Sequence, residues 1–526
     1  MAATRRGFLA GSASAAAARA PAGAGSDPAP AVPPAGGPAG SIRIDPAPLF
    51  PLSPLLRMQF MEPLGVTDTG VEAAWDHDAD DWRRDFVETA RDLAPGAIRW
   101  GGLMSRYYKW REGVGPAAAR PPMRNHVWGG WETNRVGTAE FVGLCRRTGA
   151  EPLLCVNFMG DGRRQYARTP GGDRTGSAAE AADWVSYCND PDDAERRRHG
   201  DAEPLGVRLW QIGNETSYGD DGFSKREAIA QTTGFARAMR ARDPSIRLIG
   251  WGDRGLDPAS PLWATDMLRQ AGEHLDYIAI HMMQQLPTRP DTLLRGTRYQ
   301  RDPARAWDEL MEMSGRIGAR LDELEGAIAA TGASMRVAVT EGHLSLAPHN
   351  TNPILMEWIT GVYHARALNA YERHGERVAI ATAADFNGTR WTVAAVRLQV
   401  PRGVSYLTPA GSVMRLFGRH VGERAVAVGG APSDLDIAAS RAGNRIYLHV
   451  ACTRYEGSVP ASFEVAGARI AGGRVFEIAP SDPRQAVSQD EPDVFAPREH
   501  ALEARGPSPA WRFPAASVSV VELDLA

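Results

Sequence analysis

The hydrophobic pattern between residues 55 and 385 alternates short apolar runs with longer stretches of helical periodicity. The runs lack strict apolar–polar alternation, which is typical of strands buried on both faces of a parallel sheet. Eight such runs occur, at residues 56–60, 97–100, 152–156, 207–212, 246–250, 277–280, 336–339 and 378–381. The helical periodicity that separates them is clearest at residues 81–93, 138–148, 225–242, 304–330 and 354–374.

Eight alternating units predict an α/β fold, a (β/α)₈ TIM barrel that spans residues 51–400. A doubly wound open sheet is the structural alternative. It usually has fewer strands, and the sequence contains no glycine-rich phosphate-binding fingerprint to favour it. We therefore expect the barrel.

The pattern changes after about residue 402, where short alternating stretches are separated by Gly, Pro, Asp and Asn. This texture predicts a C-terminal antiparallel β-sandwich domain over residues 401–526. Its clearest strands are predicted at residues 445–451, 462–465, 474–478 and 517–525. A short extended piece within residues 41–50 is expected to join this sheet.

The first 40 residues are predicted to form an export signal and a linker rather than part of the folded domains. Arg5-Arg6-Gly7-Phe8-Leu9 precedes an Ala-rich stretch, as in a twin-arginine signal peptide, and a Pro/Ala/Gly-rich linker follows up to residue 40. We expect a soluble protein that is exported by this route to the periplasm or the extracellular space. The alternative is a disordered tail with a chance pair of arginines.

Composition excludes several functional classes. A chain of 526 residues with a net charge of −4 has no strongly basic domain, so nucleic-acid binding is not expected. No apolar run reaches 18 residues, so membrane insertion is not expected either. The four cysteines show no metal-binding spacing, and we predict no metal site.

Two glutamates follow predicted strands at the end of the barrel where active sites lie. Glu215 ends the segment Gly213-Asn214-Glu215 after the fourth run, and Glu341 follows the seventh. Paired carboxylates cleave glycosidic bonds, because one can protonate the leaving oxygen while the other attacks the anomeric carbon or activates water. Two glutamates at opposite sides of one barrel mouth therefore predict a glycosidase.

Several motifs resemble those of clan A glycoside hydrolases, and most closely the α-L-arabinofuranosidases of family 51. They occur in the family's order along residues 59–386: Gln59-Phe60-Met61-Glu62-Pro63-Leu64-Gly65, Ile98-Arg99-Trp100-Gly101-Gly102, Trp110-Arg111-Glu112-Gly113-Val114-Gly115-Pro116, Trp128, Glu132-Thr133-Asn134, Gly137-Thr138-Ala139-Glu140-Phe141, Ile212-Gly213-Asn214-Glu215 and Asp276-Tyr277-Ile278-Ala279-Ile280-His281.

The resemblance implies a retaining exo-glycosidase with Glu215 as general acid/base and Glu341 as nucleophile. It implies no metal or organic cofactor, an oligo- or polysaccharide substrate, and assembly as a homo-oligomer as one option. The residues that it places around the sugar are Glu62 and Asn214 as hydrogen-bonding groups, Trp128 as an apolar wall, and Arg99 and His281 as groups that keep the nucleophile ionised.

The sequence also departs from the family pattern. Leu103 stands where the family has Asn, Gly342-His343 follows the nucleophile where the family has Trp, and Asp385 replaces a sugar-binding Gln. Met282 and Met283 follow the strand 6 histidine in place of an aromatic residue, either as core packing or as an altered apolar wall.

Because buried polar groups discriminate strongly between sugars, these changes leave the identity of the sugar open. The alternatives are a β-galactofuranosidase, a D-arabinofuranosidase or an endo-glycanase. A protein that binds carbohydrate without cleaving it is the alternative outside the enzyme class.

Overall fold

A computed structural model describes residues 40–526 apart from residues 256, 258, 286, 288, 402 and 504–507. The predicted signal peptide and nearly all of its linker, residues 1–39, lie outside the described residues. No helix within the described ranges is both long enough and apolar enough to cross a bilayer.

Eight parallel strands form the barrel that the apolar runs predict, so the predicted fold class is confirmed. We number them 1–8 in chain order: Met58–Met61, Ala97–Trp100, Glu151–Val156, Leu209–Ile212, Arg247–Trp251, Tyr277–Gln284, Arg336–Leu344 and Val378–Ala381. Most of their residues are buried on both faces, as an internal parallel sheet requires.

The barrel closes through a short segment that follows strand 8. Strand Asp385–Gly388 pairs in parallel with strand 1, where Asp385 lies opposite Phe60. Two further strands, Ala394–Leu398 and Ser405–Leu407, extend this sheet. Strands 6 and 7 run several residues beyond their predicted ends, to Gln284 and Leu344, because they remain paired through the barrel mouth.

Helices surround the barrel, and most of them bury one face, whereas Gly361–Arg373 is buried on nearly all sides. The longer ones are Arg84–Leu93, Thr138–Thr148, Ala178–Asn189, Lys225–Arg242, Ala264–Ala271, Pro303–Ala329, Gly361–Arg373 and Pro409–Arg419, and short α-helices span Gly70–Ala74, Arg164–Ala167 and Ala194–Arg198. The helix predicted at 81–93 begins only at Arg84, since Asp81–Trp82 pairs with Trp75–Asp76 as a small hairpin. The helix predicted at 354–374 divides into two 3₁₀ turns followed by an α-helix.

Nine strands form the sheet of the C-terminal domain. In spatial order they are Arg498–Leu502, Ile470–Ile478, Val518–Leu525, Arg445–Cys452, Leu435–Ala442, Arg424–Gly429, Ser41–Pro51, Ser458–Val465 and Ala510–Pro514. All neighbours are antiparallel except Ser41–Pro51 and Ser458–Val465. The sheet encloses its own apolar core. Apart from the N-terminal strand, the C-terminal sheet begins at Arg424. The predicted boundary lies earlier, at residue 401, but the strand and the helix between residues 401 and 424 pack on the barrel.

An ionic cluster joins the two domains. Asp436, on the C-terminal sheet, accepts hydrogen bonds from three side chains of the barrel helix Gly361–Arg373: Arg373 at 2.7 Å, Asn369 at 2.9 Å and Arg366 at 3.3 Å. Because three side chains donate hydrogen bonds to it, the partly buried carboxylate is fully hydrogen-bonded at the contact between the domains.

Candidate active site

The two predicted catalytic glutamates lie together at the barrel mouth. Glu215 follows strand 4 and adopts a left-handed backbone conformation with φ of 51°. Glu341 lies within strand 7, opposite His281 of strand 6, immediately after a register shift in the ladder. Such bulges re-aim a side chain without ending the strand. The structure therefore brings three elements, strands 4, 6 and 7, to one point.

His281 bridges the two carboxylates. Its Nδ1 atom lies 3.2 Å from Oε1 of Glu215 and 3.1 Å from Oε2 of Glu341. Burial would lower the pKa of His281, but Glu341 and Glu215 outweigh that effect and raise it to about 9. The imidazole is therefore a cation at neutral pH, and it holds the side chains of Glu215 and Glu341 beside each other.

Arg99 supports this cluster from inside the barrel. It is completely buried, and its guanidinium donates to Asn214 Oδ1 at 2.5 Å, Gln211 Oε1 at 2.8 Å and Glu341 Oε1 at 3.4 Å. The bond to Asn214 orients that amide so that its Nδ2 atom has no hydrogen-bond partner among the described residues. Asn214 thus retains a free donor beside the two glutamates.

The surroundings of Glu341 favour its ionised form. Burial alone would raise the pKa of this carboxyl, but His281, Arg99 and His343 together lower it to about 2. A carboxylate that stays ionised across the physiological range suits a nucleophile.

Glu62 occupies the mouth beside strand 1. Its Oε1 accepts from the backbone N–H of Met104 at 2.9 Å and from the indole N–H of Trp128 at 3.3 Å. Burial and the charge of Glu341 raise the pKa of Glu62 well above its usual value. Gly102, with φ of 86°, leaves the room that this carboxyl occupies, since a Cβ there would lie 2.4 Å from Glu62 Cδ.

Trp128, the predicted apolar wall, lies beside Glu62. Its half-buried ring meets Trp391 edge to face, with 5.3 Å between centroids. His349 also packs edge to face on Trp391, with 5.8 Å between centroids. Trp391 and His349 come from the loops after strands 8 and 7 and carried no motif that the sequence could reveal.

Asp385 pairs with His343 at the barrel mouth. Its Oδ1 atom lies 2.9 Å from Nδ1 of His343, and both side chains are almost fully buried. Burial raises the pKa of Asp385. Burial opposes the charge on His343, but Asp385 and Glu341 raise the pKa of this histidine. Two residues that depart from the family pattern therefore form one unit next to the nucleophile.

The remaining departures have simpler explanations. Met282 is buried in the main apolar core, in agreement with core packing, whereas Met283 is partly exposed. Gly342 permits strand 8 to approach, because a Cβ at this position would lie 2.4 Å from the carbonyl oxygen of Thr382.

Two buried charged residues escaped the sequence analysis. Asp161, in the loop after strand 3, accepts from the backbone N–H of Asn214 at 3.1 Å, and Arg106, after strand 2, donates to the carbonyl of Glu215 at 3.2 Å. Both bind backbone atoms, and no periodicity or spacing marks such contacts.

The cluster of Glu215, His281 and Glu341 could in principle bind a metal ion, because one ligand atom of each lies within 4.8 Å of the others. In the structure Nδ1 of His281 lies at hydrogen-bond distance from both glutamates, at 3.2 Å and 3.1 Å, and hydrogen bonding accounts for the arrangement.

Comparisons with known proteins find similar sequences over part of this chain. The family model described as alpha-L-arabinofuranosidase 1 domain matches residues 89–301, a range that includes Glu215 and ends before Glu341. An intracellular exo-alpha-(1->5)-L-arabinofuranosidase of Acetivibrio thermocellus is 32% identical over 215 residues, which are 39% of each chain. Alpha-L-arabinofuranosidase C of Emericella nidulans is 36% identical over 198 residues, which are 36% of each chain.

Solved structures extend the likeness to the whole described fold. The α-L-arabinofuranosidase of Thermotoga maritima, in complex with arabinose, superposes with a TM-score of 0.76 at 23% identity and covers 93% of this chain and 100% of its own. The sequence matches, by contrast, span only about two fifths of the length of the curated relatives. In the fold and in the matched sequence, the chain resembles the family 51 α-L-arabinofuranosidases of clan A.

Proposed function

We propose that the protein is a retaining glycoside hydrolase that releases terminal α-L-arabinofuranosyl residues from oligo- or polysaccharides. The observation that supports this most directly is the closeness of the two carboxyl groups: one oxygen of Glu215 lies within 4.8 Å of one oxygen of Glu341. Retaining enzymes hold their carboxyl groups about 5–5.5 Å apart, whereas inverting enzymes need about 6.5–9.5 Å to admit a water molecule.

In the proposed mechanism Glu341 attacks the anomeric carbon while Glu215 protonates the leaving oxygen. The low pKa of Glu341, about 2, keeps the nucleophile ionised. Water then hydrolyses the glycosyl-enzyme, with Glu215 acting as base. The free Nδ2 donor of Asn214 is suited to bind a sugar hydroxyl beside the reacting carbon.

The arabinofuranosyl specificity rests on the relatives, which carry that name. The His343–Asp385 pair beside the nucleophile is the observation that keeps other furanosides open, because it changes the groups available to sugar hydroxyls. A panel of 4-nitrophenyl α-L-arabinofuranoside, β-D-galactofuranoside and α-D-arabinofuranoside, together with arabinan and xylan, separates the candidates. We expect the first glycoside to be hydrolysed fastest; an endo-glycanase would instead shorten the polymers without releasing monosaccharide.

The mechanism is tested with Glu341→Gln and Glu215→Gln. We expect both variants to lose more than about a hundredfold in kcat, since the nucleophile and the proton donor are each required. Proton NMR of the first released sugar should show retention at the anomeric carbon. Glu357→Gln is the matched control, because Glu357 is a buried glutamate bound to Tyr299 and Arg484 away from the cluster.

An inverted product would contradict the retaining mechanism, and a Glu341→Gln variant with a near-normal rate would reject the nucleophile. A wild-type protein that binds an arabinan fragment but releases no sugar would instead support the non-catalytic alternative.

We further propose export by the twin-arginine route, on the strength of Arg5-Arg6 and the Ala-rich stretch that follows. The Acetivibrio thermocellus and Streptomyces lividans relatives are named intracellular, so this chain would differ from them in location. Cell fractionation of the natural chain and of a variant with both arginines changed to lysine tests the proposal. We expect the double variant to stay in the cytoplasm; an unchanged distribution would reject the route.

A further inference from the structure

The backbone at Glu215 adopts a conformation that needs external support. Its φ of 51° lies in the left-handed region, which a residue with a Cβ seldom occupies. Such conformations persist where the surrounding structure holds them, and they cluster at functional sites. The contacts of residues 214–216 show which groups hold this one.

Asp161 binds this segment from one side. This fully buried carboxylate accepts through Oδ2 from the backbone N–H of Asn214 at 3.1 Å and from the hydroxyl of Thr216 at 3.3 Å. Asp161 therefore fixes the residues immediately before and after Glu215.

Arg106 binds the same segment through its carbonyl groups. The Nη2 atom donates to the carbonyl oxygens of Asn214 at 3.0 Å and of Glu215 at 3.2 Å. Arg106 is 94% buried, and its Nε atom lies 3.6 Å from Oδ2 of Asp161. The two charges thus compensate each other in a region that excludes water, where either alone would be costly.

The nucleophile depends on different groups. Glu341 is held by Arg99 and by His281, which come from strands 2 and 6. The pair formed by Arg106 and Asp161 makes none of these contacts with the Glu341 side chain. Loosening it would therefore act directly on Glu215, and it would reach Glu341 only indirectly, through Arg99 and His281.

We propose that Arg106 and Asp161 are positioning residues that set the proton-donating carboxyl of Glu215 for the leaving oxygen. The inference deepens the proposed function and rests on it, because it assumes that Glu215 is the acid/base. Neither residue is a catalytic residue, since both act through the backbone that carries Glu215.

A displaced proton donor gives a kinetic effect that general instability does not. Glycosides with poor leaving groups require protonation, whereas activated glycosides depart without it. The experiment compares kcat/KM for 4-methoxyphenyl and 2,4-dinitrophenyl α-L-arabinofuranoside in Asp161→Asn and Arg106→Lys. Asp161→Asn retains the size of the side chain, and Arg106→Lys retains the positive charge beside Asp161. If Asp161→Asn does not fold, the comparison is made with Arg106→Lys.

Glu215→Ala provides the reference, because it removes the proton donor itself. The control is Glu140→Gln, which weakens the partly buried ion pair of Glu140 with Arg120, at 2.8 Å, without contact to either glutamate of the site. We expect the two positioning variants to lose about tenfold more activity on the methoxyphenyl than on the dinitrophenyl glycoside, in line with the cost of small misplacements. The control should lose equally on both.

The inference would be overturned if Asp161→Asn and Arg106→Lys lost equal kcat/KM on both glycosides while Glu215→Ala lost more on the methoxyphenyl glycoside. That result would leave the proposed function intact. A Glu215→Ala variant without such selectivity, or a wild type that hydrolyses neither glycoside, would reject the acid/base assignment and the inference with it.

Discussion

The bridging imidazolium of His281 makes a quantitative prediction about stability. The pKa of this side chain rises from 6.5 to about 9, because the attraction of Glu341 and Glu215 exceeds the cost of burial. Each pKa unit corresponds to about 1.4 kcal/mol, so the protonated histidine stabilises the folded protein by about 3 kcal/mol. The charge is fully buried, and solvent screening reduces this figure little.

The sign of the pH dependence follows from the direction of that change. A group whose pKa is raised on folding contributes its full stability below the unfolded pKa, here 6.5, and loses it as the pH rises through about 9. His281→Gln removes the charge but retains a hydrogen-bond donor. The difference in unfolding free energy between wild type and variant should therefore be largest at pH 6, the lowest pH of the series, and shrink by about 3 kcal/mol by pH 9.5.

Urea denaturation followed by tryptophan fluorescence, at intervals between pH 6 and pH 9.5, measures this difference. His77→Gln is the matched control, because His77 is about half exposed and pairs with Glu72 at 3.5 Å on the surface. Parallel stability curves for wild type and His281→Gln across this range would refute the assignment of a buried imidazolium between the two carboxylates.

Two further changes probe other parts of the fold. Gly102→Ala should reduce kcat/KM by about tenfold or more in steady-state kinetics, since the new Cβ would lie 2.4 Å from Glu62 Cδ. A variant with wild-type kcat/KM would contradict the close approach of Gly102 and Glu62. Asp436→Asn should lower the unfolding free energy by about 1–3 kcal/mol at pH 7. Burial would raise the pKa of Asp436, but Arg373, Asn369 and Arg366 lower it, so this loss should shrink below pH 4 in urea titrations; a constant loss would argue against the charge as its cause.

The sequence allowed the barrel and its two glutamates to be predicted because both leave local signals. Apolar runs mark strands buried on both faces, and an acidic residue directly after such a run lies at the mouth. Glu215 and Glu341 were predicted in this way, whereas Asn214, Arg99 and His281 were predicted from the family resemblance. The structure brings all five together.

Other parts of the site left no such signal. Arg106 and Asp161 bind backbone atoms across loops, and only the closed barrel brings those loops together. The pairing of His343 with Asp385 joins strand 7 to the segment after strand 8, a contact that no spacing along the chain reveals. The predicted strands were also too short. Strand 7 continues to Leu344 because it stays paired with strand 6, and its own hydrophobic pattern does not show this.

The N-terminal strand Ser41–Pro51 has a consequence for how the chain can be divided. It precedes the whole barrel, yet its two neighbours in the sheet are Arg424–Gly429 and Ser458–Val465, which are synthesised several hundred residues later. A cut between the barrel and the second domain would remove an interior strand from the latter and leave two unsatisfied edges. The C-terminal domain is thus not a contiguous module, because one of its interior strands precedes the barrel in the chain, and residues 424–526 expressed by themselves would lack that strand.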